Sequence, residues 1–139
     1  MERVLCVDDD PLCLYLAELT IKESNMANEI LLAESVPAAI SLLNDIFSTN
    51  DLLDSQETPT VILLDINMPG MNGWDFLEIY ERDFQHLFAL VKIYILSSSI
   101  DTADMIRSKQ YRSVTDYIAK PLTVEICNKL KTAMAVQEP

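Results

Sequence analysis

Three acidic residues end two apolar runs: Asp8 and Asp9 follow Val4, Leu5, Cys6 and Val7, and Asp65 follows Val61, Ile62, Leu63 and Leu64. A carboxylate at the tip of a buried strand is costly unless a cation compensates it. If the two strands lie side by side and parallel, their carboxyl ends share one edge and the three acids converge. Such a cluster of oxygens is a site for a hard divalent cation, most naturally Mg2+. Ser97 follows the apolar run 91–96, and Lys120 follows Asp116, Tyr117, Ile118 and Ala119, so both fall on the same edge. Open parallel sheets bind ligands at that edge, where strand order reverses. Acids, a hydroxyl and a lysine together suit phosphoryl transfer to a carboxylate. Metal and lysine balance charge on the phosphoryl oxygens, the hydroxyl donates to one of them, and an aspartate oxygen attacks.

The elements that must position these residues follow from hydropathy. Short apolar runs alternate with segments of helical period, the pattern of an α/β fold with a parallel sheet. Strands are expected at 4–7, 29–33, 61–64, 91–96 and 115–119. A first helix is expected over 11–23, with Asp10 as its cap, Pro11 in its first turn and Leu12, Leu16 and Leu19 as its inward stripe. Ser35 caps a second, facing inward with Val36, Ile40, Leu43 and Phe47. Asn72 starts a third, with Leu77, Tyr80 and Phe84 inside. The segment 101–111 is more polar and offers only Ala103, Met105 and Ile106 to a core, so it reads as a weakly packed, mobile helix. Thr123 caps a last helix that aligns Ile126, Leu130 and Ala133, and the acidic stretch 48–59 reads as a surface loop.

Glycine is scarce: the chain has two, Gly70 and Gly73, both just beyond Asp65. Glycine suits positive φ or close backbone approach, so the loop from Asn67 to Gly73 is expected to fold tightly near that aspartate, although an ordinary structural turn explains the same residues. Asp10 beside Pro11 reads as a cap rather than a ligand, His86 as a surface residue, and Trp74 as packing.

Composition excludes several functions. At 139 residues, half of them hydrophobic, the chain fits a single domain spanning 1–139. Ten basic against 22 acidic side chains give a net charge of -12, which repels a phosphate backbone, so no direct nucleic-acid binding is expected. Cys6, Cys13 and Cys127 are odd in number and lack metal-type spacing, and are read as reduced, buried thiols. No run is long enough for a membrane span and no leader pattern is present, so a cytoplasmic protein is expected.

Taken in order, Asp8-Asp9, Asp65 with Asn67-Met68-Pro69-Gly70-Met71-Asn72-Gly73, Ser97, and Tyr117-Ile118-Ala119-Lys120-Pro121 resemble the receiver domains of two-component response regulators, the CheY-like family. The resemblance covers nearly the whole chain. It implies a doubly wound, flavodoxin-like α/β fold: a five-stranded parallel sheet of order 2-1-3-4-5 flanked by five helices. It also implies that Asp65 is a phosphoacceptor, charged by a sensor histidine kinase or a histidine phosphotransfer protein. Asp8, Asp9, Asp65 and the backbone carbonyl of Asn67 would hold Mg2+, Lys120 would contact the phosphoryl group, and Ser97 would turn its hydroxyl toward it after transfer. Tyr117 would follow inward and alter the surface near the fourth helix and fifth strand, unless it is ordinary sheet packing. The Lys120-Pro121 bond is expected to be cis. Such a protein is not an enzyme beyond its own phosphorylation and dephosphorylation, and it acts as a monomer or a phosphorylation-dependent dimer.

Two departures stand out. Ser98 and Ser99 extend a hydroxyl run where a small apolar residue is usual, and the loop 48–59 is longer than usual. After Pro121 only one helix fits, so no output domain is expected and the signal must pass to another protein effector. Two rival functions have weaker support. A phosphatase of the haloacid dehalogenase type would use Asp8-Asp9-Asp10, yet Pro11 stands where threonine or valine is expected and no later acidic pair completes that site. A receiver-like scaffold that no longer takes phosphate is opposed by the intact acids, Ser97 and Lys120.

Overall fold

A computed structural model describes residues 3–49, 61–86, 90–98 and 101–137. The elements run β1 (Arg3–Val7), α1 (Pro11–Ser24), β2 (Glu29–Ala33), α2 (Val36–Thr49), β3 (Val61–Leu64), α3 (Gly73–Asp83), β4 (Lys92–Ser97), α4 (Thr102–Ser108), β5 (Val114–Ala119) and α5 (Val124–Gln137). Among the described residues, five strands form one sheet of order β2-β1-β3-β4-β5, every neighbouring pair parallel.

Successive strand side chains point to opposite faces, and both faces here are covered. Leu5, Val7, Ile62, Leu64, Ile93 and Ile95 pack with α2 and α3. Val4, Cys6, Val61, Leu63, Tyr94 and Leu96 pack with α1 and α5. The three central strands therefore read as unbroken apolar runs. Burial pushes the Cys6 thiol up to about 12, which keeps it protonated and unreactive.

The helices begin where their caps allow. Asp10 accepts from the Leu12 N–H, with Pro11 as the first helical residue. Ser35 Oγ accepts from the Ala38 N–H, and Thr123 Oγ1 from the Ile126 N–H. Asn72 and Asp75 form a reciprocal capping box at the start of α3.

The outcome differs from the sequence expectation at several helix faces. Leu12, Leu16 and Leu19 are not inward: with Tyr15 they lie on the exposed side of α1, between 43% and 62% accessible. The core contacts come from Leu14, Ala17 and Ile21, because α1 is apolar almost all round and packing against α5 selects the face. In α4, Ala103, Met105 and Ile106 are all exposed and only Ser108 is buried. In α5, Leu130 and Cys127 are buried and Ile126 is half-buried, but Ala133 is exposed near the helix end. Ser97 is the last residue of β4 rather than the residue after it, and Ser48 belongs to α2 rather than to a loop. Cys13 is half-buried rather than buried. The side chain of Phe47, residue Ser99 and the loop residues 50–59 lie outside the described residues.

The two glycines do different things. Gly70 has φ +74 and open space where a Cβ would stand, so its role is conformational. Gly73 is needed for proximity: a Cβ there would lie 2.6 Å from Ile66 Cα and 2.7 Å from Asp65 O, and backbone atoms cannot step aside. Gly73→Ala is therefore expected to destabilise the fold by about 1–3 kcal/mol, the usual cost of overpacking. A lowered urea midpoint at unchanged m-value checks this, and a midpoint equal to that of the parent contradicts it.

Candidate functional site

Register decides which strand ends meet. Val7 pairs with Leu64 across β1 and β3, so the next residues, Asp8 and Asp65, emerge side by side. The Asp65 N–H donates to Val7 O at 2.9 Å and the Asp8 N–H to Ala33 O at 3.1 Å, which extends the ladder one residue beyond the strands. On the other flank Ser97 pairs with Ala119, and the Lys120 N–H donates to Ser97 O at 2.8 Å. The edge where β1 leads outward to β2 and β3 lies on its other side is thus the edge that gathers the chemistry.

Asp8, Asp9 and Asp65 offer carboxylate oxygens that all lie within 4.8 Å of one another. Asp8 and Asp65 are buried, and Asp9 is exposed. Lys120 Nζ donates to Asp8 Oδ2 at 2.6 Å and stands 3.6 Å from Asp65 Oδ2. The second oxygen of each buried acid is held by backbone: Asp8 Oδ1 accepts from the Asp10 N–H at 3.0 Å, and Asp65 Oδ1 from the Asn67 N–H at 3.1 Å. Ser97 is fully buried, and its Oγ accepts from Asn67 Nδ2 at 3.2 Å. The Lys120-Pro121 bond is cis.

The electrostatics follow from crowding. Burial pushes the Asp65 carboxyl above its ordinary value, and the Asp8 charge adds to this, against the lowering pull of the Asn67 N–H and Lys120. For Lys120 burial alone works downward. Its hydrogen bond to Asp8 and the charges of Asp65 and Asp8 outweigh burial and hold the ammonium above its ordinary value. Three carboxylates with one ammonium leave a formal surplus of negative charge. Oxygen donors at this spacing, with that surplus, fit a hard divalent cation.

Of the residues singled out in the sequence, Asp8, Asp9, Asp65 and Lys120 form one cluster, and Asn67 and Ser97 join it through the hydrogen bonds above. Tyr117 does not sit among the acids. It is half-buried in β5, two residues before the register partner of Ser97, and packs against the core on the α2–α3 side. Asp10 caps α1 and also accepts from Cys13 Sγ at 3.4 Å. Ser98 and His86 are exposed.

Sequence reasoning missed two features. The direct Lys120–Asp8 pair joins residues 112 positions apart, and no local pattern signals it. The other is a stack: Trp74, in the first turn of α3, has Tyr111 at 5.7 Å between ring centroids and the Arg107 guanidinium 4.5 Å from its own centroid. Further along α3, Glu78 accepts from the Tyr111 hydroxyl, and Glu81 accepts from both the backbone N–H and the hydroxyl of Ser113. These contacts tie α3 to the connection between α4 and β5.

The chain is similar to known proteins over nearly its whole length. The family model described as response regulator receiver domain matches residues 4–131. Protein PilH of Pseudomonas aeruginosa is 29% identical over 136 residues, covering 98% of each chain. The DNA-binding response regulator MtrA of Mycolicibacterium smegmatis is 31% identical over 121 residues, which span 86% of this chain and 44% of MtrA. Among solved structures, a two-component response regulator from Cytophaga hutchinsonii superposes with a TM-score of 0.86 at 30% identity, covering 99% of this chain and 98% of the other.

Proposed function

The chain belongs to the response regulator receiver domain family, a phosphoacceptor module of two-component signalling, and from that premise we propose that Asp65 is the residue that takes the phosphoryl group. The observation that carries this reading is the cluster itself, with a buried Asp65 carboxylate beside Asp8, Asp9 and the Lys120 ammonium. The donor is a phosphohistidine on a histidine kinase or a phosphotransfer protein. An Asp65 oxygen forms the new bond to phosphorus as the bond to the imidazole nitrogen breaks, and the imidazole leaves with the electron pair.

Asp8, Asp9, Asp65 and the Asn67 carbonyl would hold Mg2+, whose charge, when bound, offsets that of the phosphoryl oxygens. Lys120 supplies a second positive charge at the same place. Ser97, released from its contact with Asn67, donates its hydroxyl to a phosphoryl oxygen. Tyr117 then moves toward the space Ser97 has left and changes the surface of α4 and β5, which an effector protein reads.

The test uses a small phosphodonor such as acetyl phosphate with Mg2+, followed by mapping of the acyl phosphate by mass spectrometry. Label on Asp65 is expected. Label on Asp8 would favour a phosphatase-type nucleophile, and no label would favour a scaffold. Lys120→Ala is expected to slow transfer strongly and, by leaving Asp8 and Asp65 without their ammonium partner, to cost about 1–3 kcal/mol of stability. Single-turnover labelling and urea unfolding measure the two effects, and a variant normal in both overturns the role assigned to Lys120.

A further inference from the structure

Behind the acidic cluster, between α1 and the connection from β5 to α5, lies a cavity of about 120 Å³. Leu14, Ala17, Leu63, Leu96 and Leu122 form much of its wall, and Asp8, Asp65 and Lys120 stand at one end. The phosphoryl chemistry proposed above uses the acids but has no use for the apolar chamber. Its size is close to that of the apolar cavities of about 150 Å³ that hold one benzene ring.

The two ends of the space call for one class of ligand. At the polar end, Asp8 and Asp65 line the cavity and share one ammonium, and Asp9, outside the lining, adds a third carboxylate with an oxygen within 4.8 Å of theirs. An anion is repelled there, and a neutral ring gains nothing from the charge. A bare metal ion satisfies the acids but leaves the apolar wall uncovered. We propose that the cavity binds a small amphiphilic cation, a primary ammonium on an apolar body of about one ring, with its head at Asp8 and Asp65 and its body against the leucines. Head and divalent ion then require the same carboxylate oxygens, so the ligand excludes the ion and holds the site uncharged with phosphate. This makes the cavity an inhibitory site. The competition arm rests on the metal reading given above, and a Mg2+ titration of the protein alone tests that reading separately.

The experiment uses full-length protein with 13C-labelled leucine methyl groups and four compounds at equal ionic strength: benzylammonium, methylammonium, benzyl alcohol and phenylacetate. Benzylammonium is expected to bind saturably, to give ring-to-methyl nuclear Overhauser effects at Leu14, Leu63, Leu96 and Leu122, and to bind roughly ten-fold more tightly than methylammonium or benzyl alcohol. The apparent Kd for Mg2+ should rise linearly with the benzylammonium concentration. Ala17→Leu, which fills the chamber, should remove the effect while leaving the Mg2+ titration unchanged. Equal binding of benzyl alcohol would reduce the cavity to an unselective apolar void, and equal competition by methylammonium would reduce the effect to ion exchange at the acids. Either result overturns the proposal. If Ala17→Leu does not fold, the methyl contacts in the parent protein decide, and their absence at saturating benzylammonium is equally fatal.

Discussion

Asp65→Asn is expected to abolish acyl-phosphate formation and, in metal-free buffer at neutral pH, to make the protein more stable. The first effect is chemical, because an amide oxygen is a poor nucleophile and cannot form the mixed anhydride. The second is electrostatic. Asp65 is buried with Asp8 beside it, and its carboxyl sits above the ordinary value chiefly through burial. Removing that charge relieves the cluster by an amount on the order of 1 kcal/mol. The pH dependence has a definite sign. Since the folded-state value is raised, the native protein holds this proton where the unfolded chain has released it. The stabilisation is therefore fully present below the ordinary aspartate range and is lost as pH rises through the raised value. Urea unfolding of both proteins between about pH 4 and pH 7 should show the parent declining across that window, with the Asn variant lacking this decline. A variant that still takes label at position 65, or that is less stable than the parent at neutral pH, contradicts the assignment.

The second large effect is stabilisation by metal. An ion that binds the assembled cluster and not the unfolded chain shifts the folding equilibrium by mass action, about 2.7 kcal/mol at a hundred-fold excess over Kd. For a chain of 139 residues this corresponds to a rise in Tm of roughly 9 °C. The ion supplies the positive charge that Lys120 alone cannot, so the gain should vanish with a chelator. Asp9 is the exposed member of the cluster, and Asp9→Ala should weaken the gain without unfolding the protein. Calorimetry with and without Mg2+ measures both. An unchanged Tm at saturating metal would remove the cation from the mechanism.

The sheet was legible because its three central strands are buried on both faces and leave continuous apolar runs, each closed by a polar residue. Asp8 and Asp65 follow two of them, Ser97 ends the third, and Lys120 follows the edge strand β5 on the same side, so the site could be read with the strands. The helix faces were less legible for the opposite reason. In α1, Leu12, Leu14, Tyr15, Leu16, Ala17, Leu19 and Ile21 are apolar around most of the helix, so several stripes fit a period of 3.6 and only packing against α5 distinguishes them. In α4 the expected core contacts were absent because the helix is tied down through Arg107 and the following Tyr111 and Ser113, whose partners lie on α3. Those partners are some 30 residues away in sequence, as Lys120 is far from Asp8. Polar and aromatic pairings of that range carry no periodic signal.

The tight seat of Gly73 gives the molecule a built-in optical gauge. The chain has one indole, Trp74, directly after the glycine that touches the Asp65 carbonyl, and the same indole carries the Arg107 guanidinium of α4 on its ring. Its emission is therefore expected to respond to the loop after Asp65 and to α4 at once, so that the switch proposed above would be timed without attaching a dye.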